Sequence, residues 1–357
     1  MTSASPAPIS AVPAPQAIPV YSARLGAISD EQFQRCLTRL GLGTFVAAER
    51  VTSGICGQNV FITSTRGEYV MRGFPLDDAQ LAREAFMARH IHDQTTVAGP
   101  WPYRIDSSTD IFGWPYALMR RLPGRRIESP FKETLTLEDR RSMARAFGSV
   151  LAQLRTVRLP ACGEYDPQTD AIRPNPEGWK GHLRSVMDRH LCKAAQCSPN
   201  TVSADRLYVA DMVERGMAAL DVPCDYTICS SDFGENNAVV LPHGGSWAVA
   251  GIFDLHEWFA GDAEYSISRQ VMQYNDEHPQ LAYDFIAAYA QGQPLRPGFA
   301  ERAILYVICD RFIFWNFGHD RQWFDPTHEF VRFAGPSIQK LRETFAALAA
   351  HGLLTDV

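Results

Sequence analysis

The stretch from Cys229 to Arg269, CSSDFGENNAVVLPHGGSWAVAGIFDLHEWFAGDAEYSISR, constrains this chain most. Two apolar runs, NAVVL and WAVAGIF, flank the pair Gly244-Gly245, a pattern that reads as a hairpin. Asp232 and Asn237 precede the first strand, and Asp254 follows the second. The apolar run YTIC ends just before this segment's loop, so Asp232 falls where a strand gives way to a loop. A hairpin brings its two ends side by side, which delivers Asp254 beside the loop that holds Asp232 and Asn237. One carboxylate that can orient a hydroxyl, with an amide oxygen and a second carboxylate that can hold magnesium, is the set that phosphoryl transfer needs. That transition state is loose and in line, so a protein contributes mainly position and charge neutralisation. Magnesium takes carboxylates with phosphate oxygens in octahedral geometry, which suits Asp254. Turn-forming Asp and Asn on a surface hairpin explain each residue singly. The three together, at this spacing, point to a site.

The rest of the chain places strands before helices. A helix is expected over about Ser29 to Leu42, with Phe33, Cys36, Leu37 and Leu40 on one face. FVAAERVT, NVFITST and EYVMRGF then read as an antiparallel meander, followed by a helix over Leu81 to His92 and a strand within Ile111 to Leu122. Beyond Pro123-Gly124 the pattern turns helical, starting with LTLEDRRSMARAFGSVLAQLRTV behind Thr136 as N-cap. Asp166 to Gly178 reads as a long loop, and further helices are expected near 180–197, 204–220, 264–274, 279–290, 298–317 and 336–351. Pro336 is placed at the start of the last one and Gly352 at its end. The fold class is therefore α+β. Residues 1–25, rich in Pro, Ala and Ser, are expected to be a disordered tail. Residues 26–122 form a small lobe with an antiparallel sheet, and 123–357 a larger, mainly helical lobe that carries the loops just described. A nucleotide cleft suits that order.

Composition narrows the function classes. Of 357 residues, 34 are basic and 40 acidic, a net charge of −6 that argues against a nucleic-acid partner. The eight cysteines form no C-x-x-C pair, which suits reduced, packed thiols in a cytoplasmic protein. No secretory signal is visible. The most apolar late run, AILYVICDRFIFWNF, is interrupted by Asp310 and Arg311 and reads as a buried helix rather than a membrane span. A monomer or homodimer with a small-molecule partner is expected. The loop SGICGQN, which begins at Ser53, supplies Gly54 and Gly57 between two strands, where backbone can approach phosphates or simply make a hairpin turn. Among the acidic residues around the site, Glu235 and Glu257 flank it and are the candidates for facing a cationic substrate.

The segment SDFGENNAVVL…VAGIFDLHEWFAGDAEYS resembles the aminoglycoside phosphotransferases, a family with the bilobal protein-kinase-like fold, and among them hygromycin B phosphotransferases most. The family pattern is His-Gly-Asp, four residues, Asn, a strand ending Ile-Asp, then Gly-Asp. By this resemblance Asp232 is the catalytic base, Asn237 and Asp254 are the magnesium ligands, and Asp262 braces the loop. WPYALMRRLPGR resembles the interlobe linker, which implies that backbone at Met119 to Arg121 meets the adenine of ATP or GTP. The phosphate-contacting Lys position falls on Arg72 in YVMRGF, with Glu84 on the next helix as its implied partner. Arg can pair with phosphate through its fork, in a different geometry from Lys. Two family histidines are absent: Ser230-Ser231 stands for His-Gly, and Arg155 for a second His. The resemblance implies a kinase that moves a γ-phosphate to a hydroxyl of an aminoglycoside or aminocyclitol, and hence antibiotic resistance. Two alternatives stand beside it: a metabolic kinase of a sugar, amino alcohol or nucleoside, and a catalytically weak, kinase-like binding module.

Overall fold

The computed structural model describes residues 20–52, 56–197, 203–324 and 329–354, which divide into two compact units. The first takes in residues up to Pro75 together with Ile105–Leu118. Strands β1 (Val20–Ser22) and β2 (Gly26–Ala27) pair with each other, and α1 (Asp30–Arg39) follows. Ser29 starts α1 with a capping box: its hydroxyl accepts the Gln32 N–H while the Gln32 side chain accepts the Ser29 N–H. The meander is present as β3 (Phe45–Arg50), β4 (Asn59–Ser64) and β5 (Gly67–Gly73), joined by β6 (Arg104–Asp106) and β7 (Tyr116–Arg120) in the order β3-β4-β5-β7-β6. In β4 every second residue, Val60, Ile62 and Ser64, is buried, the period-2 signature of a sheet with one covered face.

Phe33 of α1 is fully buried in this unit, edge-on to Tyr21 with ring centroids 5.6 Å apart and stacked on Phe45 at 5.3 Å. Burying one such ring contributes about 1.5–3 kcal/mol. The expected tail is thereby corrected at its end. Tyr21 and Leu25 are core residues, so 20–25 belong to the folded unit, and the remainder of the tail lies outside the described residues.

The second unit comprises Leu76–Arg104 and the chain from Met119 onward. The expected boundary at 122 therefore differs from the structure. Helix α2 (Gln80–Gln94) belongs to the second unit because Phe86, Met87 and Ile91 join its core. Helix α3 (Leu137–Leu154) starts at a Thr136 capping box. A hairpin of β8 (Gly163–Asp166) and β9 (Ala171–Pro174) follows, where the composition suggested only a loop. Then come α4 (Gly178–Cys197), α5 (Ser203–Ala219), β10 (Tyr226–Cys229), β11 (Ala238–His243), β12 (Ser246–Ile252) and β13 (Phe259–Asp262). Helices α6 (Ser268–Glu277), α7 (Pro279–Tyr289), α8 (Phe299–Asp320) and α9 (Phe330–Ala350) complete the unit. β10-β13-β8-β9 form one sheet, and β11-β12 form a separate ribbon.

Helix α8 is buried around most of its girth, from Phe299 to Trp315, as a central core helix must be. In α9, Ile338, Leu341, Phe345 and Leu348 are buried at helical spacing, but Pro336 sits inside the helix rather than at its start. Among the described residues no helix is long and apolar enough to cross a membrane, and no cysteines are joined by a disulfide.

Candidate active site

Strand β10 pairs antiparallel with β13 from Tyr226–Asp262 to Cys229–Phe259, which fixes where the following loop begins. The Ser230 N–H donates to the Ser266 hydroxyl at 3.0 Å, and the Ser230 hydroxyl accepts the Asp232 N–H at 2.9 Å. Ser230 is fully buried, so this small hydroxyl fastens the loop from beneath. Gln270 of α6 fastens it again, accepting the Glu235 N–H at 2.8 Å. A Cβ at Gly234 would stand 2.4 Å from that Gln270 oxygen, so a larger residue would push Gln270 off the loop it holds. A short 3-10 turn, Glu235–Asn237, then leads into β11.

The ends of the ribbon join as the sequence pattern requires. Ala238 faces Ile252 in the β11–β12 ladder, and the Phe253 N–H donates to the Asn237 carbonyl at 2.9 Å. Asp254 therefore follows directly after a residue bonded to Asn237. Its backbone lies in the left-handed region at φ 64°, a conformation rare for a non-glycine residue and costing on the order of 1–3 kcal/mol where the surroundings enforce it. The Asn237 amide nitrogen donates to the Asp232 carbonyl at 2.9 Å and to Asp232 Oδ2 at 2.8 Å. With the nitrogen committed to Asp232, the amide oxygen is left pointing away from it. The three polar side chains singled out in the sequence thus belong to one connected loop system.

The electrostatics are balanced between opposing charges. Burial raises the Asp232 carboxyl above its usual range. The Arg269 guanidinium and the Asn237 amide pull it down, and Glu257 and Asp254 push it up. His256 Nδ1 lies 2.9 Å from Asp254 Oδ1, and Nε2 lies 3.5 Å from Glu257 Oε1. Burial alone would lower the imidazole, but its two carboxylate partners outweigh that and push it up to about 10, so it is an imidazolium at neutral pH. Its hydrogen bond to Glu257 outweighs burial, which would raise that carboxyl, and holds it below its usual range.

Arg269 carries no motif in the sequence but reaches the site from α6. Its Nη1 donates to Asp232 Oδ1, and its Nε donates to Asp310 Oδ1 at 2.9 Å. Glu235 requires a correction. Its carboxylate is buried and takes both ends of the Arg140 guanidinium, at 2.7 and 2.9 Å, together with the Tyr274 hydroxyl at 2.8 Å. A carboxylate so engaged does not face a substrate. Glu257, by contrast, keeps 57% of its side chain exposed. Asp262 is buried at the end of β13 and accepts the Glu264 N–H at 3.0 Å and the Tyr306 hydroxyl at 2.8 Å, with Arg296 paired to the same carboxylate, so its side-chain contacts run to β13's own continuation and to the helices rather than to the loop of Asp232.

The nucleotide candidates lie in both units. In the first, Arg72 is a buried residue of β5 opposite Asn59, and Gly57 has φ 59° with its carbonyl accepting the Ser22 hydroxyl at 2.6 Å. In the second, Glu84 is buried and accepts from Gln80 at 2.8 Å and from the Tyr103 hydroxyl at 2.9 Å. Met119 is a buried residue of β7, and Arg121 follows that strand. Ser53 and Gly54 lie outside the described residues. Arg155, at the place of the second histidine, donates to the Gln293 carbonyl and rests over the Tyr289 ring, 4.6 Å from its centroid.

Residues 47–304, well over half the chain, match the model of the phosphotransferase enzyme family. The chain belongs to that family. No curated protein matches it. Solved structures of family members share its fold. The apo form of a thermostable mutant of the aminoglycoside phosphotransferase APH(4)-Ia aligns with a TM-score of 0.60 at 16% identity, covering 88% of this chain and 99% of that one. A ternary complex of a thermostable mutant of the same enzyme with ADP and hygromycin B aligns at 0.58 and 15%, covering 86% and 97%. The GDP and kanamycin complex of APH(2")-IIIa aligns at 0.59 and 14%, covering 89% and 99%. The α+β architecture is thus that of the protein-kinase-like aminoglycoside kinases, and by family the chain is a phosphotransferase.

Proposed function

We propose that this phosphotransferase moves the γ-phosphoryl group of ATP or GTP to a hydroxyl of a small molecule held against Asp232. The observation that carries the reading is the hydrogen-bonded union of Asp232 with Asn237, whose backbone is in turn bonded to the residue before Asp254. Asp232 orients the acceptor hydroxyl. As the acceptor oxygen bonds to phosphorus and the bond to the β-phosphate oxygen breaks, Asp232 takes the hydroxyl proton. The Asn237 amide oxygen and the Asp254 carboxylate suit magnesium, which when bound neutralises phosphate charge. Among the described residues no group of three or more His, Cys, Asp or Glu side chains is arranged to hold a metal ion, so the remaining ligands would be phosphate oxygens and water. Arg72 is assigned to the phosphates and backbone at Met119 to Arg121 to the base, on the family pattern.

An aminoglycoside or aminocyclitol is the first acceptor to test, because structural neighbours are complexes with hygromycin B and kanamycin. Such an acceptor would make the chain a resistance enzyme. The engagement of Glu235 by Arg140 favours a second reading, a less cationic acceptor such as a sugar or nucleoside, since Glu257 alone remains of the two acidic candidates. The test incubates the protein with MgATP and, separately, MgGTP, across aminoglycosides, sugars, amino alcohols and nucleosides, with mass spectrometry to detect an added phosphate. A product absent from the Asp232→Ala control is expected. Nucleotide binding with no product from either acceptor group would replace the enzyme reading with a binding module.

A further inference from the structure

Arg269 connects the candidate base to the centre of the helical core. On one side its guanidinium holds Asp232 Oδ1, and on the other it holds Asp310 Oδ1 at 2.9 Å. Asp310 is a residue of α8 with a side chain only 1% exposed, and its second oxygen accepts from Arg311 Nη2 at 2.9 Å. The Phe314 ring lies beneath both guanidinium groups, 4.8 Å from Arg269 and 5.1 Å from Arg311. The result is a row of alternating charges, Asp232, Arg269, Asp310 and Arg311, backed by an aromatic face. An arginine engaged by two carboxylates and a ring has little freedom to choose another geometry, and its planar fork loses little further entropy in keeping this one.

Asp232 is consequently held by different elements at its two oxygens, by Asn237 at Oδ2 and by Arg269 at Oδ1. We propose that Arg269, anchored on Asp310, is a positioning residue for phosphoryl transfer, setting the Asp232 carboxylate so that its remaining lone pairs meet the acceptor hydroxyl. This deepens the function proposed above and rests on it. Ser230, at the place of the family's loop histidine, holds the Asp232 backbone N–H, while the carboxylate itself is held by Asn237 and Arg269. The competing reading is an ordinary ion pair that joins α6 to α8 and leaves the chemistry untouched.

The test measures kcat and KM for MgATP and for an acceptor identified in the panel, using full-length Arg269→Gln, Arg269→Lys, Asp310→Asn and the Arg269→Gln/Asp310→Asn double variant. Arg269→Gln is expected to lower kcat by about 100-fold, the scale of a small misplacement at a reacting group, while the KM for MgATP stays within about twofold. Arg269→Lys should recover part of the loss. The double variant should be no slower than Arg269→Gln, as for residues that act as a unit. An unchanged kcat in Arg269→Gln, or losses that multiply in the double variant, would overturn the proposal. A wild type that phosphorylates nothing would instead refute the underlying function. The two failures are told apart by melting: Arg269→Gln should lower the Tm more with Asp232 present than in an Asp232→Ala background, and equal drops would overturn the proposed contact itself.

Discussion

At Asp232 burial raises the carboxyl above its usual range, with Arg269 and Asn237 opposing the shift and Glu257 and Asp254 adding to it. Asp232→Asn preserves the shape but cannot take a proton, so transfer should fall by about 10²–10⁴-fold, checked by initial rates with the identified acceptor. Glu235 obeys a different logic. Its bidentate partner Arg140 is itself buried, and Arg140→Met would leave the carboxylate enclosed and uncompensated. A loss of about 3–5 kcal/mol is expected from denaturant midpoints, and Arg140→Met combined with Glu235→Leu should recover most of it. A single variant as stable as the wild type would contradict this account. The same residues mark what the sequence reveals. The grouping of Asp232, Asn237 and Asp254 is legible because one hairpin joins them, and local spacing suffices. Glu235 is misread because its partner lies far back in α3. Arg269 carries no local signal, because its meaning depends on Asp310, a whole helix pair away.

At the scale of elements, caps and periodicities are the legible part. The Thr136 box and the buried stripe of α9 are where residue types require them. The β8–β9 hairpin is obscured because Asp, Pro and Asn favour turns, and only pairing within a four-stranded sheet reveals the strands. Pro336 reads as a helix start because that is where proline costs least, yet packing of Phe330 and Ala334 carries the helix back past it. Close helix contact also explains a glycine in mid-helix. A Cβ at Gly148 of α3 would lie 2.2 Å from the Phe285 carbonyl oxygen of α7. Alanine gains about 1 kcal/mol of helix propensity. Overpacking against backbone costs about 1–3 kcal/mol, and at this separation the upper end applies. Gly148→Ala should therefore lower the Tm in a circular-dichroism melt, and an unchanged or raised Tm would show that α3 and α7 can move apart freely.

Across the whole molecule, acid stability and site integrity share one set of charges. Burial would raise Glu277, but Arg140 and Lys132 outweigh it and hold it at about 2, against an ordinary value of 4.5. A depressed folded value means that this stabilisation is complete above pH 4.5 and is lost as the pH falls toward 2. The Tm advantage of the wild type over Glu277→Gln should close across that interval, and a gap independent of pH would exclude the linkage. The two-part organisation is legible in the order of strands and helices, but its boundary is not. Residues 76–104 join the second unit through the buried side chains of α2, and 20–25 join the first through Tyr21 and Leu25. Such membership is decided by packing partners remote in sequence. The central claim is that Asp232 serves the acceptor while Asn237 and Asp254 serve the metal of one phosphoryl-transfer site. Its most direct test is calorimetric titration of MgATP and MgGTP into wild type, Asp232→Ala and Asp254→Ala, with phosphate transfer measured on the same preparations. Asp232→Ala is expected to bind nucleotide like the wild type without transferring phosphate, and Asp254→Ala to lose the magnesium-dependent part of binding. Wild-type transfer by Asp232→Ala, or unchanged magnesium dependence in Asp254→Ala, would contradict the central claim.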